Sequence, residues 1–171
     1  MELASVLADN KEKIIGEWFD MAVDIYPPDT AKFLKNKADR FANPVGYNFS
    51  AAMEAVLAYL ISNDESDDVV GALEGLIKIK AVQDFTASQA VRFIFLLKKV
   101  LRKHAGNSYE ELFGLEDKID RLALLCFDLY MRSRDKIHEL KASELRNMHY
   151  RLLERANLAT RQEDPIGGNG S

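Results

Sequence analysis

Hydrophobic residues recur every three or four positions along almost the whole chain, and alternation with a period of two persists nowhere. This spacing predicts an all-α protein. The first helix is predicted from about Glu2 to Ile25, and its apolar face carries Leu3, Val6, Leu7, Ile14, Trp18, Met21, Ala22 and Ile25. Pro27 and Pro28 are expected to end it, because proline removes an amide donor and disfavours the helical conformation in the residue before it.

Polar residues and a proline mark the starts of the next two helices. Asp29 is predicted to cap a short helix that runs to Lys37. Asn43 and Pro44 predict another start, with Asn43 as the N-cap and Pro44 at the first helical position, where its missing N–H costs nothing. The helix behind them has a one-sided apolar face and is expected to end in the acidic segment 63–68.

Two central helices follow. The first is predicted over about Asp68 to Val82, and the second begins after Thr86-Ala87-Ser88-Gln89, which has the composition of a capping box. The second helix is apolar almost all round and is predicted to be the most buried element; it carries Val91, Ile94, Phe95, Leu97 and Leu101. Ser108 and Glu111 have the spacing of another capping box, which would open the final helical region.

No glycine or proline occurs from Leu115 to Thr160. The apolar face is wide in the first half of this stretch and thins in the second half to a narrow seam of Leu145, Met148, Leu152, Ala156 and Ala159. A wide face is typical of a helix buried in a globular body, and a narrow seam is typical of a helix that pairs with another helix.

One continuous helix over this stretch would be roughly 70 Å long at about 1.5 Å per residue, longer than a domain of this size is wide. We therefore predict a helical body over residues 1–140, a protruding stalk helix over 141–160 that carries a dimer contact, and a disordered polar tail over 161–171. An interruption of the seam near Lys141 to Ser143 predicts a bend or rotation there.

Composition narrows the function classes. The 171 residues allow one core and an extension, and the net charge of −4 with no basic, aromatic-interleaved patch argues against nucleic-acid binding. The single Cys126 excludes an intrachain disulfide and, among apolar neighbours, is predicted to be a buried small hydrophobe. Because neither a signal peptide nor a run near 20 apolar residues is visible, we expect a cytoplasmic protein that spans no membrane.

The three histidines, His104, His138 and His149, are the candidates for metal, haem or phosphotransfer chemistry. They lack the partners of a metal-ligand set, and none lies on the predicted core face that a haem would need. We therefore expect no metal, no cofactor and no catalysis. Two alternatives stay open: haem binding, and phosphotransfer through His138, whose segment with Lys141 is similar to the phosphoacceptor stretch of histidine phosphotransfer domains.

Three segments carry a family resemblance: residues 40–46 (Arg-Phe-Ala-Asn-Pro-Val-Gly), residues 80–93 (Lys-Ala-Val-Gln-Asp-Phe-Thr-Ala-Ser-Gln-Ala-Val-Arg-Phe) and residues 127–134 (Phe-Asp-Leu-Tyr-Met-Arg-Ser-Arg). In order and spacing they resemble the N-terminal sensory domain of RsbR-type co-antagonists, the RsbRD N-terminal family, and Trp18 fits as well. The similarity extends from about residue 7 to residue 158. The family often has proline where this chain has Ala87.

The resemblance implies a bacterial, non-catalytic sensor with a globin-like helical bundle without haem. It implies a homodimer that passes a signal through its C-terminal helix to an output module, which is a STAS domain in stressosome proteins and a histidine kinase in others. Because no output module follows the stalk in this sequence, a stand-alone copy is expected, of the kind found in anaerobic, sulfate-reducing bacteria. Its protein partner and any small-molecule signal are unidentified.

Overall fold

The computed structural model describes residues 3–36, 41–62 and 67–163, and within these ranges every regular element is a helix. The all-α prediction is therefore confirmed, together with the long C-terminal helix. Likeness to globins stays an expectation from the resemblance. In chain order the helices are α1 (Leu3–Asp9), α2 (Lys11–Val23), α3 (Pro28–Lys35), α4 (Pro44–Ser62), α5 (Asp67–Val82), α6 (Ala87–His104) and α7 (Tyr109–Glu163).

The predicted first helix is two helices, so the prediction of one helix was wrong. The break lies at Asn10, whose Nδ2 donates to the Val6 carbonyl at 2.8 Å. An asparagine side chain competes for backbone groups in this way, which favours helix ends over helix interiors. The second helix ends at Val23, before the predicted end at Ile25, and Glu2 lies outside the described residues.

The prediction that Asp29 caps α3 was also wrong. Pro27 is the N-cap and Pro28 is the first helical residue, so that Asp29 lies in the first turn. There its carboxylate is near the positive end of the helix dipole, which explains why an acidic residue suits the position without capping it. The helix ends at Lys35, and the predicted end at Lys37 lies outside the described residues.

Asn43 is the N-cap of α4, as predicted. Its Oδ1 accepts a hydrogen bond from the Gly46 amide at 2.9 Å, while its Nδ2 donates to three carbonyl oxygens at the C-terminal end of α3, those of Phe33, Leu34 and Asn36. The buried amide therefore joins the end of α3 to the start of α4. A Cβ on Gly46 would lie only 2.5 Å from the Leu34 carbonyl oxygen, so the junction requires a glycine there.

The capping box before α6 is confirmed, because the Gln89 amide donates to Thr86 Oγ1 at 3.3 Å and the Thr86 amide donates to Gln89 Oε1 at 3.0 Å. Helix α6 packs against α1, α2 and α5 with eight buried residues. It is not apolar all round as predicted, since Arg92 and Lys99 are exposed and Phe95 is half-exposed. Helix α5 begins at Asp67, and residues 63–66 of the predicted acidic segment lie outside the described ranges.

The body interior is built on aromatic rings. Trp18 is fully buried, donates from Nε1 to the Phe93 carbonyl at 2.6 Å, and has its ring stacked with that of Phe93 at a centroid distance of 6.1 Å. The Phe49 ring meets the rings of Phe19 and Phe93 edge-on. These contacts tie α2, α4 and α6 together.

Helix α7 is continuous from Tyr109 to Glu163, with no break at 141–143; a bend at that place stays a prediction. The predicted capping box at its start does not form, since the Glu111 carboxylate accepts from the Leu3 amide at 2.7 Å and the Ser108 amide bonds to Ala105. The chain forms two compact units, Met1–Arg134 and Asp135–Ser171. Of the tail predicted over 161–171, residues 161–163 belong to α7, so the prediction of disorder was wrong there, and residues 164–171 lie outside the described residues.

Candidate functional site

An open apolar groove of about 820 Å³ lies between the N-terminal half of α6 and the first third of α7. Its apolar lining comes from Ala87, Val91 and Phe95 on α6 and from Ala123, Leu124 and Phe127 on α7. Phe95, Leu124 and Phe127 are between 46% and 69% exposed. Clusters of large apolar side chains that stay this exposed are typical of surfaces that contact another molecule.

Some of the exposed apolar residues of α7 follow one heptad register, while Leu140, Tyr150, Leu153 and Leu158 are exposed at other positions. Leu124, Phe127 and Met131 are spaced by three and four residues, as the a and d positions of a coiled coil are. Leu145 follows Leu124 by 21 positions, which is three whole heptads. We use the name heptad stripe for the exposed apolar a and d residues from position 124 onward: Leu124, Phe127, Met131, Leu145, Met148, Leu152 and Ala159.

The predicted seam residues all lie exposed on α7 in the second unit. Leu145, Met148 and Leu152 are 55–61% exposed, and Ala156 and Ala159 are exposed as well. Four of the five occupy a or d positions, while Ala156 occupies the flanking e position beside Arg155 at d. A role for these residues in dimerisation stays a prediction.

Three polar residues, Arg134, His138 and Lys141, occupy the a and d positions between the two apolar parts of the stripe. The register itself does not shift, so the apparent interruption is a change of residue type and not of phase. Arg134 is held in the body, where its Nη1 donates to the Ala81 carbonyl at 3.0 Å and to Asp84 Oδ1 at 2.9 Å. His138 is exposed, and phosphotransfer through it stays a prediction.

Sequence reasoning missed the most unusual residue of the interior, Lys80, which is only 1% exposed. Its Nζ lies over four aromatic rings, at 4.6 Å from the centroid of Phe49, 5.0 Å from Phe85, 5.7 Å from Phe93 and 5.8 Å from Tyr26. Ring faces attract cations, and burial makes this attraction stronger than it is in water.

The rings of Tyr26, Phe49, Phe85 and Phe93 form an aromatic cage around the Lys80 ammonium. Burial shifts the pKa values of the two titratable groups of this cage. It lowers the pKa of Lys80 to about 8 and raises the pKa of Tyr26 to about 12. The sequence contained a signal for the burial of Lys80, because Lys80 follows Leu73, Leu76 and Ile77 at the spacing of one apolar helix face.

The other titratable candidates have separate surroundings. His104 Nε2 lies 3.4 Å from Glu17 Oε2, and Lys103 bonds the same carboxylate at 3.0 Å. The hydrogen bond from Lys103 is the main reason why the pKa of Glu17 is lowered. Cys126 is buried, as predicted, and burial raises the pKa of its thiol to about 12. Among the described residues no three His, Cys, Asp or Glu side chains are grouped to hold a metal ion.

In the part of the chain that the structure describes, no helix is both long enough and apolar enough to cross a membrane. Residues 12–145 match the family described as the RsbT co-antagonist protein rsbRD N-terminal domain. The matched range includes all three segments of the resemblance and most of the body. Neither a curated protein nor a solved structure gives a match to the chain.

Proposed function

The chain belongs to the family of RsbT co-antagonist rsbRD N-terminal domains, and from that premise we propose that it is a non-catalytic sensory module that acts as a homodimer. The family consists of regulatory sensory domains of the RsbR type. In this proposal the module passes its state on by protein–protein contact in the cytoplasm, and the stalk is the segment through which it does so.

The observation that carries the homodimer is the heptad stripe. Its large apolar side chains are exposed in the single chain, and burying one such side chain contributes about 1.5–3 kcal/mol. A second α7 that runs parallel and in register would cover the a and d positions of both helices. The same arrangement would place Glu144 at a g position opposite the e position of His149 in the second copy, which is a favourable pairing when the histidine is protonated.

The apolar groove supports the same arrangement. Leu124 and Phe127 belong both to the groove and to the heptad stripe. A second copy that covers the stripe at these positions would also cover Phe95 on α6. We therefore propose that the body contributes its α6–α7 face to the dimer in addition to the stalk.

A charge placed in the stripe tests the proposal. Leu152→Asp is expected to give a monomer in size-exclusion chromatography with light scattering, because an aspartate at an a position would bury two carboxylates between the helices. Leu153→Asp is the matched control, since Leu153 is the next residue, is 50% exposed and occupies a b position outside the stripe. This control is expected to stay a dimer. A monomeric wild type, or a Leu152→Asp variant that stays a dimer, would reject the proposal.

A further inference from the structure

The turn between α5 and α6 contains a strained residue. Asp84 has a φ of +58°, which is the left-handed region that favours glycine, and no other described non-glycine residue has a positive φ. Non-glycine residues keep this conformation only where the surrounding contacts hold them in it. The contacts that hold Asp84 and its neighbours come from two sides, the interior of the body and α7.

On the interior side, the turn is attached to the aromatic cage. The Lys80 ammonium lies 5.0 Å from the centroid of the Phe85 ring, and the Tyr26 ring meets the Phe85 ring edge-on at 5.3 Å. The Tyr26 hydroxyl also donates to Gln83 Oε1 at 3.0 Å. The position of Phe85, and with it the end of the turn, therefore depends on what fills the cage.

On the other side, the turn is attached to α7. The Tyr130 hydroxyl donates to the Phe85 carbonyl oxygen, and Arg134 Nη1 donates both to the Ala81 carbonyl and to the Asp84 carboxylate. Tyr130 and Arg134 are one helical turn apart. Arg134 is also the last residue of the first compact unit, so these bonds fix α7 immediately before its second unit begins.

We propose that the segment Lys80–Phe85 is a latch that couples the interior of the body to α7. With Lys80 seated among the rings, Phe85 is fixed and the turn presents its carbonyl and carboxylate oxygens to Tyr130 and Arg134. A change in the interior that displaces the Lys80 ammonium allows Phe85 to move. The hydrogen bonds from Tyr130 and Arg134 to the turn are then lost. This inference rests on the proposed sensory function, because the latch would transmit a sensed change from the interior to the stalk.

Cys126 provides a built-in probe of the latch. It is the only cysteine of the chain, it is buried, and it lies on α7 one turn before Tyr130. An aromatic disulfide reagent reaches the thiol only when this part of α7 opens, so at fixed pH the labelling rate measures how often it opens.

The experiment compares the labelling rates of single and double variants. Arg134→Gln is expected to raise the rate about 2- to 10-fold, as the loss of a hydrogen bond would. Lys80→Met, which keeps most of the side-chain volume, is expected to raise it as well. The double variant is expected to label no faster than the faster single variant, because either change already opens the latch.

The control uses a contact of α7 outside the latch, the ion pair of Arg102 on α6 with Glu116 at 2.7 Å. The double variant with Lys80→Met and Arg102→Gln is expected to raise the labelling rate by the product of the two single-variant fold increases. If Lys80→Met with Arg134→Gln also gives the product, the two residues act independently and the latch is wrong. Should Lys80→Met fail to fold, Phe85→Leu takes its place with the same expectation. The labelling series is repeated in a Leu152→Asp background, which is expected to be monomeric. The latch is thereby tested independently of the proposed dimer.

Discussion

At the scale of single residues, the described interior combines an apolar core with a cation, Lys80, that lies over ring faces. A buried ammonium is costly unless its surroundings compensate, and Lys80 shows this cost as a lowered pKa of about 8. The sequence indicated an apolar face on α5 but not which rings would meet Lys80, because Tyr26, Phe49, Phe85 and Phe93 come from four separate parts of the chain. Such long-range contacts have no local signature.

The lowered pKa of Lys80 has a consequence for stability. Between pH 8 and 10.5 the folded protein releases a proton that the unfolded chain still holds, so the contribution of Lys80 to stability rises with pH across this window. Methionine does not titrate. The unfolding free energy of Lys80→Met minus that of the wild type is therefore expected to fall between pH 7 and pH 10, by up to about 3 kcal/mol.

Urea unfolding of both proteins at the two pH values measures this difference. Tyr26 and Cys126 have raised pKa values of about 12, which makes both proteins lose stability at high pH, but their effects cancel in the comparison. A difference that stays constant from pH 7 to pH 10 would show that Lys80 keeps its ordinary pKa in the folded protein.

Gly46 gives a second prediction at this scale. Gly46→Ala is expected to destabilise the protein by about 1–3 kcal/mol, because the new Cβ would lie 2.4 Å from Asn43 Nδ2 and 2.5 Å from the Leu34 carbonyl oxygen. Gly16→Ala in α2 is the matched control. Nothing lies within 4 Å of its added Cβ, so it is expected to stabilise by about 0.5–1 kcal/mol. Urea unfolding of both variants checks the opposite signs, and a neutral Gly46→Ala would contradict the contact.

At the scale of elements, local signals predicted helix starts better than helix continuity. Asn43-Pro44 and Thr86…Gln89 carry their partners within four residues, and both caps were predicted correctly. The bonds of Asn10 and Glu111 were not predicted, because each side chain can bond to several different backbone groups. Asn10 bonds within its own turn and breaks the first helix, and Glu111 bonds Leu3 at the far end of the chain.

At the scale of the whole molecule, one helix carries residues of both compact units. The sequence predicted the narrow seam from Leu145 onward and a wide, buried apolar face before it, and it gave no reason to separate Leu124, Phe127 and Met131 from that face. The structure leaves their side chains exposed on α7. Exposure depends on which side of α7 the other helices cover, and residue spacing alone does not contain that information. With the exposures known, both sets of residues fall into one heptad register.

In the proposed dimer, two copies of α7 pair in parallel and in register along the heptad stripe. Disulfide formation tests this pairing, in a Cys126→Ala background with one new cysteine in place of Leu145. Opposing a positions of such a pair bring two cysteines within bonding distance, so mild oxidation is expected to give a covalent dimer on a non-reducing gel. Arg146→Cys, one position along at b, is expected to stay monomeric on the gel. The absence of a covalent dimer from the Leu145 variant, or equal cross-linking at both positions, would show that the helices do not pair in parallel and in register.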